Sequence, residues 1–308
     1  MKTGSGGYAA VPAALGAALL FFFQAVSFSC QSFGASAEEY YAIGMAYFEI
    51  GKYEEAEHWL FKARSAGKTR IASEYNLGRI AYETGRYQDA VEYFETVLKR
   101  DPDNVMALRA LAYTRIKTGE LEKAEALYAR VLTLVPDDTD DGYNHALVLY
   151  ALEQYAAAEE LILSRRHTLE NNKDMLLLFA RTQRALGKVE AVDSYARWLM
   201  DNNDNQVRYE YAQVLEGAEL YAKALEEYQA ALAGLPPGSE NPSITELRFN
   251  LARVYLTADA GNPQGMTELK AAVEGGFADR EALETLARDE RIDEPGRAEI
   301  QKLIESLP

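Results

Sequence analysis

IASEYNLGRIAYETGRYQDAVEYFETVLKRDPDN, residues 71–104, and VMALRALAYTRIKTGELEKAEALYARVLTLVPDD, residues 105–138, together decide the fold. Laid one beneath the other, Gly78 falls on Ala112 and the turn Gly85-Arg86-Tyr87 falls on Gly119-Glu120-Leu121. Ala90 then matches Ala124, Phe94 matches Tyr128, and Asp101-Pro102 matches Val135-Pro136. Each stretch reads as two helices joined by a tight turn. Apolar residues recur at helical spacing on both sides of a glycine, which supplies the left-handed conformation that ends the first helix. Proline stops the second helix.

The period extends in both directions. Gly44, Gly78, Ala112, Ala146 and Ala180 stand 34 residues apart, and Ala212 and Ala252 continue the column after steps of 32 and 40. About a dozen residues further on comes a second small column: Ala56, Ala90, Ala124, Ala158, Val192, Ala224 and Gly265. Two helices approach closely only where bulk is missing, so the two small columns are expected to face each other at the crossing. Large residues fill a third column, Leu60, Phe94, Tyr128, Ile162, Tyr228 and Leu269, with Ala196 the exception. The fourth unit departs at Glu153 and Arg165, the sixth at Glu219, and the seventh at Asp259-Ala260-Gly261-Asn262-Pro263. Ser243-Ile244-Thr245-Glu246 has the form of a capping box and sets the seventh start after a Pro/Gly/Ser-rich connection.

These units, starting near Ala37, Ile71, Val105, Thr139, Lys173, Asn205 and Thr245, resemble tetratricopeptide repeats over residues 37–278. The resemblance implies an all-α chain, a right-handed superhelical α-solenoid of about seven helix pairs. Residues 272–277 are similar to a closing segment of bacterial members, and residues 279–308 are expected to form capping helices, because a last repeat otherwise exposes its apolar face. In such repeats the first helix of each pair lines an inner, concave surface. Projected onto that surface are Tyr41, Met45, Phe48, Tyr75, Arg79, Tyr82, Arg109, Tyr113, Tyr143, Tyr150, Arg181, Arg184, Tyr209, Phe249 and Arg253. Aromatics are over-represented there against 11% for the whole chain. Tyr and Arg carry binding energy at protein interfaces through rigid contact area and forked hydrogen bonds. Part of the tyrosine excess belongs to the ordinary packing pattern of the repeat, which leaves the arginines as the stronger candidates. The family's clamp for chaperone C-termini is not implied, since Tyr41, Met45, Met106 and Ala110 occupy four of its places and only Asn76 matches.

The chain of 308 residues carries a formal net charge of −16, which argues against nucleic acid, whose binding depends on Lys and Arg. Its single cysteine, Cys30, allows no intramolecular disulfide and follows an apolar stretch from Val11 to Val26 behind Lys2. Val26-Ser27-Phe28-Ser29-Cys30 resembles a loose bacterial lipobox of the relaxed, spirochaete kind. The resemblance implies a signal peptide over 1–29, lipidation at Cys30, and a short linker over 30–36. A rival small-x-small cleavage site lies at Ala35-Ser36-Ala37, and would give a soluble periplasmic protein instead.

Residues that could carry chemistry do not converge. His58, His145 and His167 have no second ligand at helical spacing, so each reads as a surface or packed histidine. Asp137–Asp141 lacks the acid that closes a calcium loop, and Asp201–Asn205 lacks its glycine, so both read as turns that cap the next helix. Ser65-Ala66-Gly67-Lys68 and Lys117-Thr118-Gly119 imitate fragments of a penicillin-binding site, but the second falls on a helix–helix turn. No catalytic residue, metal or cofactor is expected.

The sequence therefore points to a non-enzymatic scaffold of the bacterial envelope, lipid-anchored and facing the periplasm or the cell surface. It is expected to hold another envelope protein or peptide in a Tyr/Arg-lined groove. The alternative is a solute-binding module working with a transporter, which requires an enclosed apolar cavity. Replacing Cys30 by Ser is expected to move the protein from the detergent phase to the aqueous phase in a cloud-point partition. Unchanged partitioning would rule out the lipid anchor.

Overall fold

The computed structural model describes residues 36–65, 67–258 and 262–307. The proposed signal segment and Cys30 lie outside the described residues. Among the described residues the fold is helical, and the one strand-like feature is an isolated bridge between Glu240 and Ser243. The chain divides into two compact units at Leu134/Val135.

The first unit holds three helix pairs: α1 (Ala37–Glu49) with α2 (Tyr53–Ala63), α3 (Gly67–Glu83) with α4 (Tyr87–Arg100), and α5 (Val105–Lys117) with α6 (Leu121–Leu134). α2 also packs on α3, and α4 on α5, so the pairs stack. The second unit continues the scheme with α7 (Thr139–Ala151), α8 (Tyr155–Ser164), a short α9 (Arg166–Asn171), α10 (Lys173–Ala185), α11 (Ala191–Asp201), α12 (Asn205–Gly217) and α13 (Tyr221–Gly234). It closes with α14 (Ile244–Ala258), α15 (Pro263–Glu274), α16 (Arg280–Ala287) and α17 (Glu294–Glu305).

Helix starts follow side-chain caps. The backbone N–H of Ala107 donates to Asn104 Oδ1, that of Asp141 to Asp138 Oδ1 and that of Val207 to Asp204 Oδ1, each at 3.0 Å. The two acidic stretches that imitate calcium loops are thus capping turns. A full capping box, unrecognised in the sequence, opens α1: Glu39 N–H donates to Ser36 Oγ at 3.2 Å and Ser36 N–H to Glu39 Oε2 at 2.6 Å. At Ser243 only half of the expected box forms. Glu246 N–H donates to Ser243 Oγ, whereas the Glu246 carboxylate accepts the Tyr209 hydroxyl at 2.6 Å. α3 begins at Gly67, one turn before the expected Ile71.

At Gly44 and Gly78 the first small column meets the large one. A methyl group on Gly44 would sit 2.8 Å from Leu60 Cγ, and one on Gly78 would sit 2.6 Å from Phe94 Cε1. The missing side chain on the first helix is the socket for the large side chain on the second. Ala56 and Ala90 are fully buried behind it.

Two irregular units obey the same rule by other means. In the fifth, Lys188–Glu190 form an extra turn, with Ala191 N–H donating to Lys188 O and Val192 N–H to Val189 O. α11 therefore starts late and turns its register by one residue. Ala191 and Tyr195, both fully buried, take the places expected for Val192 and Ala196, which removes the Ala196 exception. In the fourth, Arg165 is accommodated because Gly142 opposes it, where any Cβ would collide with the guanidinium stem.

The turns inside the first six pairs keep one geometry. Gly119 has φ +77°, and Leu220 N–H closes onto Leu215 O at 2.8 Å around Glu219 just as Glu120 N–H closes onto Arg115 O. Glu153 (φ +59°) and Glu219 (φ +60°) hold the left-handed conformation without glycine's freedom. Glu219→Gly is accordingly expected to stabilise the chain by about 1 kcal/mol, and Gly119→Glu to destabilise it by about as much, in urea unfolding. Equal midpoints for Glu219→Gly and the parent would contradict this strain.

Candidate binding surface

The fifteen residues that the sequence places on the inner surface divide between the two units, and their surroundings differ. In the first unit they sit on α1, α3 and α5. Phe48 lies against Tyr53 at 5.7 Å between ring centroids, and the Arg79 guanidinium lies over the Phe48 ring at 4.4 Å. Arg79 also donates to Asn76 Oδ1 at 3.1 Å. Tyr82 contacts Tyr87 at 5.5 Å and Tyr113 at 6.4 Å, and Tyr113 is 49% exposed. These rings form a partly open aromatic row with one cation laid into it.

Beneath the row, Tyr41 and Tyr75 do structural work. The Tyr41 hydroxyl accepts from Asn76 Nδ2 at 3.0 Å, so Asn76 joins the first pair to the second. Tyr75 packs against Phe94 at 5.7 Å. Burial pushes its hydroxyl above the ordinary value of 10, opposed by the positive charges of Arg79 and Arg109.

In the second unit the inner residues are Tyr143, Tyr150, Arg181, Arg184 and Arg253. Tyr143 and Tyr150 pack against the core, and Tyr150 lies 5.2 Å from Tyr155. The arginines hold repeat to repeat. Arg181 donates to both oxygens of Glu210 at 2.9 and 2.8 Å, and the fully buried Tyr195 hydroxyl donates to the same carboxylate at 2.9 Å. Arg184 donates to Gln213 at 2.5 Å. Arg253 and the Tyr228 hydroxyl both donate to Glu216 Oε2, at 2.8 and 3.1 Å. Burial first, then the adjacent carboxylates, push the Tyr195 and Tyr228 hydroxyls well above the ordinary value. An open cleft of about 570 Å³ beside these groups is lined by Arg184, Gln213, Glu216, Tyr221, Arg253 and Arg291.

Two projected residues are not on an open surface. Phe249 is 6% exposed because Phe277 of the closing segment stacks on it at 4.4 Å. Tyr209 is 7% exposed, its hydroxyl donating to Glu246 and accepting from Asn250 at 3.0 Å. The partners that occupy the inner cations, Glu210, Gln213 and Glu216, went unmarked in the sequence. A spacing could have found two of them: Arg181–Glu210 and Arg184–Gln213 are each 29 residues apart, three short of the 32-residue step at that point in the chain.

Among the described residues no group of three or more His, Cys, Asp or Glu side chains is placed to hold a metal ion. Nor is any described helix long and apolar enough to cross a membrane.

Residues 37–63 and 75–139 match family models of the tetratricopeptide repeat. A curated protein of Treponema pallidum (strain Nichols), described as an uncharacterized lipoprotein, is 25% identical over 142 residues, covering 46% of this chain and 72% of that one. A tetratricopeptide repeat protein from Parabacteroides merdae ATCC 43184 superposes with a TM-score of 0.57 at 20% identity, covering 89% of this chain and all of the other. YrrB, whose structure is described as a TPR protein with an unusual peptide-binding site, superposes with a TM-score of 0.53 at 18% identity, over 63% of this chain and 98% of its own. Both superpositions are of fold.

Arg181→Ala removes two of the three hydrogen bonds to a carboxylate that is 8% exposed. It is expected to cost about 2–3 kcal/mol, at the low end for such a pair because the guanidinium is a third exposed. Arg184→Ala is expected to cost under about 1 kcal/mol. Equilibrium urea unfolding compares the two, and equal losses would refute the assignment of Arg181 as a repeat-joining residue.

Proposed function

We propose that this tetratricopeptide-repeat chain is a non-enzymatic adaptor of the bacterial envelope, tethered through lipidated Cys30, that takes an extended segment of a partner protein on the inner face of its first unit. The observation that carries the reading is the aromatic row Phe48–Arg79 and Tyr82–Tyr113, whose Phe48 and Tyr82 rings are half-buried and whose Tyr113 is 49% exposed. Arg79 contributes a charge stacked on a ring and bonded, among the described residues, to a neutral amide, so it keeps donors for a carboxylate or carbonyl of the partner. The second unit's cations are already engaged between repeats, which favours the first unit as the place of capture.

The tether rests on the Val26–Cys30 motif and agrees with the lipoprotein description of the Treponema relative. The repeat fold suits protein or peptide binding, and the half-buried rings supply a surface for it. A solute-binding role would be favoured by an enclosed apolar cavity. The cleft bordered by Arg184, Glu216, Arg253 and Arg291 is open and charged, which speaks for the adaptor.

The test uses the membrane-extracted chain as bait after cross-linking. Arg79→Glu combined with Tyr113→Ala is expected to reduce capture of the main partner at least about tenfold while leaving helicity unchanged. Undiminished capture by a variant of unchanged helicity would refute the inner face of the first unit as the binding surface.

A further inference from the structure

The seventh place of each repeat forms a column that is buried everywhere except at its beginning. Leu77, Leu111, His145, Phe179, Tyr211 and Leu251 occupy it in the later units, none more than 8% exposed. Where the partners are shown, the cover comes from the second helix of the preceding pair. Leu77 joins Ala56 and Leu60 of α2 in one cluster, Leu111 joins Val91 and Phe94 of α4, and Tyr211 stacks on Tyr195 of α11 at 6.2 Å. Ile43 is the same residue of the first unit, and no described element precedes it. It is partly exposed.

Ile43 does not stand alone. Tyr40 lies one turn before it on α1 and Ile50 two turns after, on the same flank, and Ile50 is 67% exposed. From α2, Trp59 stacks on Tyr40 at 5.6 Å and 27°, and the Lys62 ammonium sits over the Trp59 ring at 4.5 Å. The face is therefore two isoleucines, a tyrosine, a tryptophan and a lysine, all at the end from which the chain runs back toward Cys30.

We propose that this leading face of the first repeat rests on the bilayer surface, in the headgroup layer of a zwitterionic lipid leaflet. The inference rests on the tether at Cys30 and specifies how the tethered protein is held. Six residue steps separate Cys30 from Ser36, at most about 20 Å of extended chain, so a lipidated cysteine confines α1 to the neighbourhood of the leaflet. Tryptophan and tyrosine favour that layer, where the ring is half withdrawn from water and the polar atom stays wet, and a lysine can extend its ammonium toward phosphate. Glu38, Glu39 and Glu55 are exposed around this end, which selects neutral over anionic headgroups. Held this way, the first repeat has its missing cover supplied by lipid.

The test reads the fluorescence of Trp59 in the full chain, purified from membranes and reconstituted into phosphatidylcholine vesicles with bromine at shallow acyl positions. The chain has two tryptophans, and Trp198 is 7% exposed with its indole donating to Lys173 O at 2.9 Å. Up to about half of the emission is therefore expected to be quenched, and Trp59→Phe is expected to abolish the quenching while the protein still floats with the vesicles. Flotation without quenching would overturn the lipid-facing assignment and leave the tether intact. Quenching absent in vesicles, together with concentration-dependent dimers in detergent that Ile43→Glu disrupts, would instead make a second copy of the chain the cover. Failure of the parent chain to float would remove the tether and this inference with it.

Discussion

A large side chain on one helix entering the space left by a missing side chain on the other is the contact on which the rest of the molecule depends. Gly78 against Phe94 shows it plainly: no atom beyond hydrogen fits on the glycine, and the ring is 1% exposed. Once that contact sets how far apart the two helices lie, the second helix presents a shaped surface to the next pair, whose seventh residue lands on it. Within each unit the pairs then stack, each on the one before. The inner surface is a consequence of the spacing rather than a separate feature.

The same contact explains which departures the chain tolerates. Arg165 stands where a small residue is usual, and Gly142 gives way to it. The fifth unit spends extra residues in its turn, and the helix that follows rotates until Tyr195 points inward in place of Ala196. What is preserved is the filled volume. Glu153 and Glu219 show that the turn conformation is preserved as well, even where the residue type opposes it, because the backbone bond that crosses the turn is needed to bring the two helices together.

Most of the fold was legible because these requirements act on residue size and backbone freedom, which single letters record. The 34-residue step, the turn glycines and five of the seven helix starts could be read directly. That the glycines of the first column receive large side chains of the third could not: a small residue reads the same in sequence whether a methyl or a ring stands against it. The inner surface was legible as a set of positions and illegible as chemistry. Arg181 and Arg253 look available when read along their own helices. Glu210 lies on the next repeat and Glu216 on the previous one, and a face projected repeat by repeat does not show what its neighbours bring.

The two ends of the array solve the problem of an unpaired repeat differently. At the far end Leu283, Leu286, Ile292, Ile300 and Ile304 from the closing helices fold over Phe249, Leu256 and Leu269, so the last pair is sealed by the chain itself. At the near end Ile43, Tyr40 and Trp59 have no such lid among the described residues. An apolar residue left uncovered at a place that is buried in every other repeat forgoes the stabilisation its counterparts receive, on the order of 1–2 kcal/mol for a side chain of this size. The near end is also the only one whose rim carries an indole with an ammonium laid on it. A repeat that merely lacked a neighbour would be expected to present polar residues there, as terminal repeats do for solubility. Its apolar and aromatic character is what a cover from outside the described repeats would match.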